Sequence, residues 1–500
     1  MIAAKSRLDT WLGHFTMYRL ILWVLGVLVV YSMVLNILGW LTFGLPEMAV
    51  HLVLCLGVTY ASSRLLALLF GVKPHTESSL ITGLLLYFLF WPAFGVMDMA
   101  GVALACVLAS VSKYALAFRG RHIFNPAAVG AFITGLTGLN IATWWAATPA
   151  MLWLLVPGVL LVLYRTRKLL MATVFLVAAT SIITVELLGR SMTLGQALWQ
   201  SLAQRPLLFF VGFMLSEPLT LPPRRWQQLA LAAVVGVVFA VPYNFGFIAN
   251  SPELALLVGN LMAFFLGQRG GVQLTFKGSR PLTPASTEFR FEAHRPVRFA
   301  AGQFMELNLP HAGSDGKGRR RVFSITSPPG ATEITFGVGT AEPLSTAKKA
   351  LFALRPGDRI SATAVGGDFV LPNDAGKPVL LIAAGIGITP FLSQLAAKDA
   401  ARDTVVLYLA KGRHELASVE QLEASGAKVI ARLADGSTPP EFMVDAGASR
   451  IDAPRLKELV PDIGEREVFV SGSPASVDSL RAAARGAGAR RVHVDSFAGY

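Results

Sequence analysis

Four stretches in the second half of this 500-residue chain carry residue types that handle phosphates and flat heteroaromatic rings. In RRRVFSITSPP (319–329), the guanidinium of Arg321 can neutralise a phosphate, and the hydroxyls of Ser324 and Thr326 can hydrogen-bond a flavin ring. In PLSTAKKAL (343–351), Ser345 and Thr346 stand at a helix start, where free backbone N–H groups suit a pyrophosphate. KPVLLIAAGIGITPFLSQLAA (377–397) reads as a buried parallel strand, a glycine-rich turn and a helix. There Gly385 and Gly387 let the backbone approach phosphate, and Thr389 and Pro390 suit the first helical turn. VFVSGSPASVDSL (468–480) is a second strand-to-helix turn, with Ser471, Gly472 and Pro474 in it.

The first half is almost free of such groups, so its polar exceptions stand out. They are ESSLITGLL (77–85), FNPAAVG (124–130) and SEPLT (216–220). Each sits at one end of an apolar run. An Asn is costly in hydrocarbon unless paired, Pro lacks a backbone donor, and an ionisable residue in a span is functional by default. Asn125, Pro126 and Glu217 are therefore candidate site residues, and the three breaks are expected to reach the same depth around a shared ligand pocket.

The elements that must position these residues differ between the halves. Overall, 53% of residues are hydrophobic and 15% charged, with mean hydropathy +0.55. Up to about Gly270, runs long enough to cross about 30 Å of hydrocarbon dominate. Ten candidate spans lie near 18–41, 47–70, 78–93, 96–117, 124–140, 149–164, 168–187, 205–221, 226–245 and 252–268. Basic residues recur in alternate loops (Lys5 and Arg7; Lys73; Arg119 and Arg121; Arg165, Arg167 and Lys168; Arg224 and Arg225; Arg269 and Lys277). The opposite loops at 42–47, 93–97, 140–148 and 243–251 have none; only 188–204 breaks the pattern, with Arg190 inside it and Arg205 at its edge. The positive-inside rule then predicts both termini and the soluble half in the cytoplasm of a bacterial-type inner membrane, with all three polar motifs at the inner face.

A net charge of +13 belongs to this topology signal rather than to nucleic acid. Cys55 and Cys106, the only cysteines, fall in apolar spans, so neither a disulfide framework nor a Cys-ligated cluster is expected, and no metal site is predicted. The basic start runs into a full-length span without a small-residue cleavage site, so no cleaved signal is expected. Domain limits are set at 1–270 for the helical part, 271–373 for a β-barrel and 374–500 for an α/β nucleotide-binding lobe.

The membrane-half motifs resemble S-x-x-[IV]-T-G-L-L, F-N-P-A and [DE]-P-[VL]-T segments of one membrane-protein family. Its members are the flavin-binding membrane components of the sodium-translocating NADH:quinone reductase and of the Rnf electron-transport complex. That resemblance implies ten spans, a number that permits a five-plus-five inverted repeat. It implies membrane-bound FMN or riboflavin, with Asn125–Pro126 shaping a flavin pocket. It also implies phosphoester attachment of FMN to a Thr in an S-G-A-T-like loop; the comparable stretch GRSMTLGQAL (189–198) offers Thr193, with Arg190, Ser191 and Met192 in place of Ser-Gly-Ala. Residues 272–500 resemble the ferredoxin–NADP reductase superfamily, which implies an antiparallel FAD barrel followed by an α/β lobe. Arg321, Phe323, Ser324, Ser345 and Thr346 would hold FAD; Gly385, Gly387, Thr389, Gly472 and Pro474 would hold NADPH or NADH. Ser471 stands where the family's C-G-P motif has Cys, and Phe497 and Tyr500 where an aromatic residue lies against the isoalloxazine. Ser324, Ser471 and Tyr500 are thus expected nearest the reacting atoms.

The expected function is a membrane flavoprotein oxidoreductase. Electrons would pass from cytoplasmic NAD(P)H through FAD to membrane-domain flavin, then to a quinone or an extracytoplasmic flavin or metal carrier. YLAKGRHE (408–415) puts Lys411, Arg413 and His414 after a strand, where cations suit a 2′-phosphate, and no acid stands at that strand end. Two alternatives remain: a haem-type ferric reductase or NADPH oxidase, which needs paired axial His, and a flavin or solute transporter carrying a redox-sensing domain.

Overall fold

The computed structural model describes residues 17–71, 74–118, 121–246, 248–267, 271–309, 320–340, 344–397 and 402–497. Two compact units meet in sequence at Gly271.

The first unit is helical: α1 (Met17–Ile37), α2 (Leu45–Leu69), α3 (Thr76–Leu89), α4 (Val96–Ala115), α5 (Pro126–Thr137), α6 (Leu152–Arg165), α7 (Leu169–Gly189), α8 (Leu194–Ala203), α9 (Leu207–Phe209) running into a π-helical stretch (Phe210–Leu215), α10 (Arg225–Ala240) and α11 (Pro252–Phe265). Between α4 and α5, β1 (Ala117–Phe118) pairs antiparallel with β2 (Arg121–His122). Helices α1, α2, α4 and α7 are long and apolar enough to cross a membrane. The other expected spans are shorter, for local reasons. Helix α5 opens at Pro126 and ends on Gly138 in the left-handed region; its 12 residues reach about 18 Å. The 205–221 run breaks into an α turn, a π stretch and a 3₁₀ turn at Pro218–Thr220.

Burial on α2 is reversed from that of a water-soluble helix. Its inward face reads His51, Cys55, Thr59 and Ser63 at i, i+4 spacing. Its outward face carries Val53, Leu65, Leu68 and Leu69, each 60–79% exposed. Such a surface is stable only against an apolar medium or partner. Packing follows two parallel schemes: α2 lies on α4, α4 on α5 and α1 on α3, as α7 lies on α10, α10 on α11 and α6 on the π stretch.

The second unit holds two sheets. Strands β3 (Val272–Thr283), β4 (Ser286–Ala293), β5 (Phe304–Asn308), β6 (Arg320–Ser324), β7 (Glu333–Gly339) and β8 (Arg359–Gly366) form an antiparallel sheet ordered β6-β5-β8-β3-β4-β7. An Ile325–Phe336 bridge joins its two edges, so the sheet closes on a core of Leu274, Phe289, Phe291, Met305 and Phe336. The parallel sheet has the order β12-β11-β10-β9-β13-β14, built from β9 (Val379–Ala384), β10 (Thr404–Ala410), β11 (Lys428–Leu433), β12 (Val444–Asp445), β13 (Glu467–Gly472) and β14 (Arg491–Ser496). The chain starts at β9, builds outward one way, then returns to add β13 on the other side. The order therefore reverses between β9 and β13, where α/β sheets of this kind bind ligands at their carboxyl ends. Helices of this unit are α12 (Thr346–Phe352), α13 (Thr389–Ala397), α14 (Val419–Ala424), α15 (Ala453–Leu459) and α16 (Pro474–Gly486).

Helix α13 joins barrel to lobe. Ser393 Oγ donates to Ser327 O at 2.7 Å, and Gln394 Nε2 to Phe369 O at 2.6 Å. Gly302, at φ +92°, lies against this joint: an added Cβ would stand 2.0 Å from Phe369 O and 2.3 Å from Gln394 Nε2. Gly302→Ala is expected to destabilise the second unit by roughly 2 kcal/mol or more, from strain and clash together. Thermal unfolding of the full chain, followed by circular dichroism, checks this; an unshifted midpoint would show that the joint yields freely.

Candidate functional site

The crevice between β9 and β13 gathers most of the nucleotide residues expected from sequence. Strand β9 ends in a 3₁₀ turn (Gly385–Ile388) and then α13; strand β13 ends at Ser471–Gly472, with Ser473 capping α16 through Ser476 N. Both helices thus start beside each other, with their free N–H groups at the carboxyl edge of the sheet.

The two turn glycines do different jobs. Gly385 has φ +55° and open space where a side chain would be. At Gly387 an added Cβ would lie 2.2 Å from Ser471 O and 2.8 Å from Gly472 Cα. Gly387 therefore presses backbone on backbone between the two strand ends, and Gly385 alone keeps an open approach. Both glycines were expected from sequence to serve the phosphate; in the structure they differ in the space around them. Thr389 Oγ1 donates to Ile386 O at 3.0 Å and Pro390 follows in the first turn, both residues buried.

Ser471 is fully buried, and its hydroxyl has no hydrogen-bond partner among the described residues. Buried polar atoms are rarely left so, and an orphan at a ligand crevice fits a missing partner such as a carboxamide. Beyond β14, Phe497 N donates to Gly472 O at 2.9 Å, which brings Phe497 to this crevice. Tyr500 lies outside the described residues.

On the barrel, Arg321 pairs in register with Leu307 on β5, Phe323 with Met305 and Ser324 with Phe304. Arg321 is 2% exposed, and one guanidinium nitrogen donates to Arg320 O at 2.8 Å. Ser324 is buried, and Thr326 Oγ1 is bonded to Thr335 Oγ1 at 2.6 Å. Ser345 caps α12 by accepting from Lys348 N at 3.3 Å, so its hydroxyl is already engaged in a seven-residue helix that begins at Thr346.

One neighbour was invisible in the sequence. Asp435, after β11, lies over Gly412 at the end of β10, where an added Cβ would meet Asp435 Oδ2 at 2.1 Å. The hydroxyl and backbone N–H of Ser437 hold its carboxyl below the ordinary range. Acid therefore does stand beside Lys411, Arg413 and His414, supplied by the adjacent strand. Deeper in the lobe, Tyr408 accepts from Ala417 N at 3.1 Å, and burial pushes its phenol up to about 12.

In the helical unit two of the three polar motifs meet. Asn125 Oδ1 caps α5 by accepting from Ala128 N at 3.1 Å, and its Nδ2 donates to Glu217 Oε2 at 2.9 Å. Glu217 Oε1 lies 2.9 Å from His122 Nε2, and Asn125 N donates to Asn260 Oδ1 at 2.7 Å. Arg121 reaches Leu219 O and Pro218 O. Pro126, at the first helical position, forfeits no bond there. Asn260, a polar residue amid the apolar α11, was the available signal for a partner here. The third motif is tied elsewhere: Glu77 pairs with Arg19 at 3.0 Å, Lys113 donates to Ser78 at 2.8 Å, and Ser79 to Ser63 at 2.8 Å. Thr193 is exposed and caps α8 in a reciprocal pair with Gln196.

The two glycines can be separated by experiment. Gly385→Ala should cost about 1 kcal/mol of strain yet leave the fold intact, while slowing NAD(P)H-driven bleaching of FAD. Gly387→Ala should instead lower thermal stability before it affects anything else. Stopped-flow reduction and melting of both variants check this; a stable Gly387→Ala chain would refute the assignment.

No family model matches the chain. It is 29% identical over 228 residues to ferredoxin–NADP reductase B of Sorangium cellulosum, covering 43% of this chain and 92% of that protein. It is 31% identical over 228 residues to the beta subunit of a haem-dependent oxidative N-demethylase of Ectopseudomonas mendocina, covering 44% and 67%. To an NADPH oxidoreductase of Mycobacterium tuberculosis it is 28% identical over 218 residues, covering 40% of this chain and about half (52%) of that one. Among solved structures, a ferredoxin–NADP⁺ reductase of Neisseria gonorrhoeae aligns at TM-score 0.39 and 20% identity, covering 45% and 98%. With a closed antiparallel sheet followed by a parallel lobe, the second half of the chain is an FAD- and NAD(P)H-dependent oxidoreductase domain of the ferredoxin–NADP reductase type, and through it the chain belongs to that family.

Proposed function

We propose that this chain is a membrane oxidoreductase akin to the flavin-binding membrane components of the sodium-translocating NADH:quinone reductase and of the Rnf complex. Electrons enter from cytoplasmic NAD(P)H at the FAD domain, reach flavin in the helical unit, and leave to a quinone or an extracytoplasmic carrier. The observation that carries this reading is α2, with polar side chains turned inward and Leu and Val turned out, in the same chain as a flavin reductase domain. The one-sided basic loops support a cytoplasmic reductase, and the two matching packing schemes support a five-plus-five arrangement in which the shorter helices complete ten spans.

Bound FAD supplies the exchange between two-electron and one-electron transfer. The rest falls to the protein. Arg321 neutralises a phosphate on FAD, while Phe323 and Ser324 line its ring. The open turn at Gly385 and the start of α13 take the pyrophosphate of the nicotinamide nucleotide. The unpartnered Ser471 hydroxyl binds the carboxamide and orients the nicotinamide, and Phe497 and Tyr500 cover the ring. In the helical unit, Glu217 is fixed by Asn125 and His122 at the inner face, where it orders the backbone that borders a flavin. Thr193 lies on the outer side as the position for a second flavin.

Arg321→Ala is expected to weaken FAD binding about ten- to a hundredfold, because a charge-assisted bond contributes roughly 1.5–3 kcal/mol. Acid extraction of purified protein should release FAD from the wild type, much less from the variant, and a second flavin from both. In oriented vesicles, NAD(P)H on the reductase side should reduce a membrane-impermeant acceptor on the other. FAD as the sole flavin, with reduction confined to the reductase side, would defeat the transmembrane reading and leave the reductase domain standing.

A further inference from the structure

Three of the span-length helices send a cation to one spot, the first turn of α3. Arg19, in the first turn of α1, donates to Glu77 Oε1 at 3.0 Å. Lys113, in the last turn of α4, donates to Ser78 Oγ at 2.8 Å. Arg64, within two turns of the end of α2, donates to Thr76 Oγ1 at 2.8 Å. Among the described residues Arg64 meets no carboxylate: besides the Thr76 hydroxyl it has the ring of Tyr60, 5.0 Å from its guanidinium carbon. Both neighbours hold the side chain, and neither cancels its charge.

The surroundings of Arg64 are apolar. Along the exposed stripe of α2 the residues read Val53, Gly57, Tyr60, Arg64 and Leu68, at spacings of three and four. Val53 and Leu68 are 71% and 79% exposed, and Gly57 has open space where a side chain would be. At the same end of α2, Phe70 stacks on Tyr114 at 6.0 Å. Aromatic rings gathered with cations mark the headgroup level of a bilayer, and a charge on a lipid-facing stripe is costly unless it reaches a partner there. A cation in the last turn of a helix can serve the helix dipole instead. Arg64 stands outside the last turn of α2, where that effect has fallen off.

We propose that Arg64, held between Tyr60 and Thr76, is the phosphate-binding point of a site for an anionic phospholipid, with the acyl chains lying over the notch at Gly57 and against Val53. Guanidinium and phosphate match as charge-assisted hydrogen-bonding partners. A water-soluble anion would have to leave water to reach a cation flanked on both sides of its stripe by apolar surface, whereas a lipid brings its charge and its chains together. The site rests on the membrane reading of the helical unit and is independent of the electron route proposed above.

Native mass spectrometry of the FAD-loaded full chain in mild detergent, offered equal amounts of phosphatidylglycerol and phosphatidylcholine, tests this. Phosphatidylglycerol should be retained about fivefold or more in preference, as expected for one cation acting on an anionic lipid. Arg64→Gln should remove most of that preference and Arg64→Lys keep part of it, both with unchanged FAD content. Arg190→Gln, at a cation already paired with Glu186 at 2.6 Å, should leave the preference as it is. Equal retention of the two lipids, or an Arg64→Gln chain that still prefers phosphatidylglycerol, would overturn the site. An equal loss in Arg190→Gln would overturn it by showing a general charge effect, and displacement of the lipid by glycerol phosphate or inorganic phosphate would do so by showing a free-anion site. A full chain that stays dispersed in water without detergent would defeat the membrane reading and this site with it; loss of lipid preference alone leaves that reading intact.

Discussion

No side chain fits between the α-carbon of Gly387 and the carbonyl oxygen of Ser471, where a Cβ would sit at 2.2 Å. That contact locks the turn after β9 to the end of β13, the two strands between which the parallel order reverses. Two helices begin at this point, so their unpaired N–H groups converge on one crevice. Helix α13 carries the constraint onward to the barrel through Ser393 and Gln394, and at Gly337 the Thr389 methyl fills the space a side chain would need. The spacing between the barrel and the parallel lobe is therefore set by close contacts that a single methyl would spoil.

The helical unit works under the opposite solvent rule. On α2 apolar side chains face outward and polar ones inward, and a buried polar group is costly until it finds a partner. Glu217 illustrates the consequence. Both carboxylate oxygens are taken, one by His122 and one by Asn125, and Asn125 in turn caps α5 and is held by Asn260. One carboxylate thus fixes three segments far apart in sequence. Low dielectric makes such a network strong when complete and expensive when broken, which explains how irregular backbone at Pro218 and Pro126 is held within an apolar protein.

Much of this was readable in advance. Hydrophobic run lengths located the helices, and strand–turn–helix patterning located β9 with α13 and β13 with α16. The Asn-Pro and Ser-Glu-Pro breaks were recognisable as polar exceptions, because one such residue in a long apolar run is costly wherever the chain goes. Partners were not readable. Nothing local links Asn125 to Asn260, Gly412 to Asp435, or Gly387 to Ser471, since each pair meets only after intervening elements have packed. The expected convergence of three membrane-half motifs failed in part for the same reason: similar depth does not specify which helices are neighbours, and ESSLITGLL went to α1, α2 and α4.

Sequence alone determined the division into an apolar helical half and a flavin reductase half, the order of elements, and the residue types at each turn, because these depend on composition and local periodicity. Tertiary structure alone decided which glycine packs and which stays open, which hydroxyl is left without a partner, and that Arg64 meets an uncharged partner on α3 while Arg190 meets Glu186. Those outcomes depend on distances of about an ångström or less between segments remote in sequence, and steric exclusion and hydrogen bonding act at that range without leaving a trace in either segment by itself.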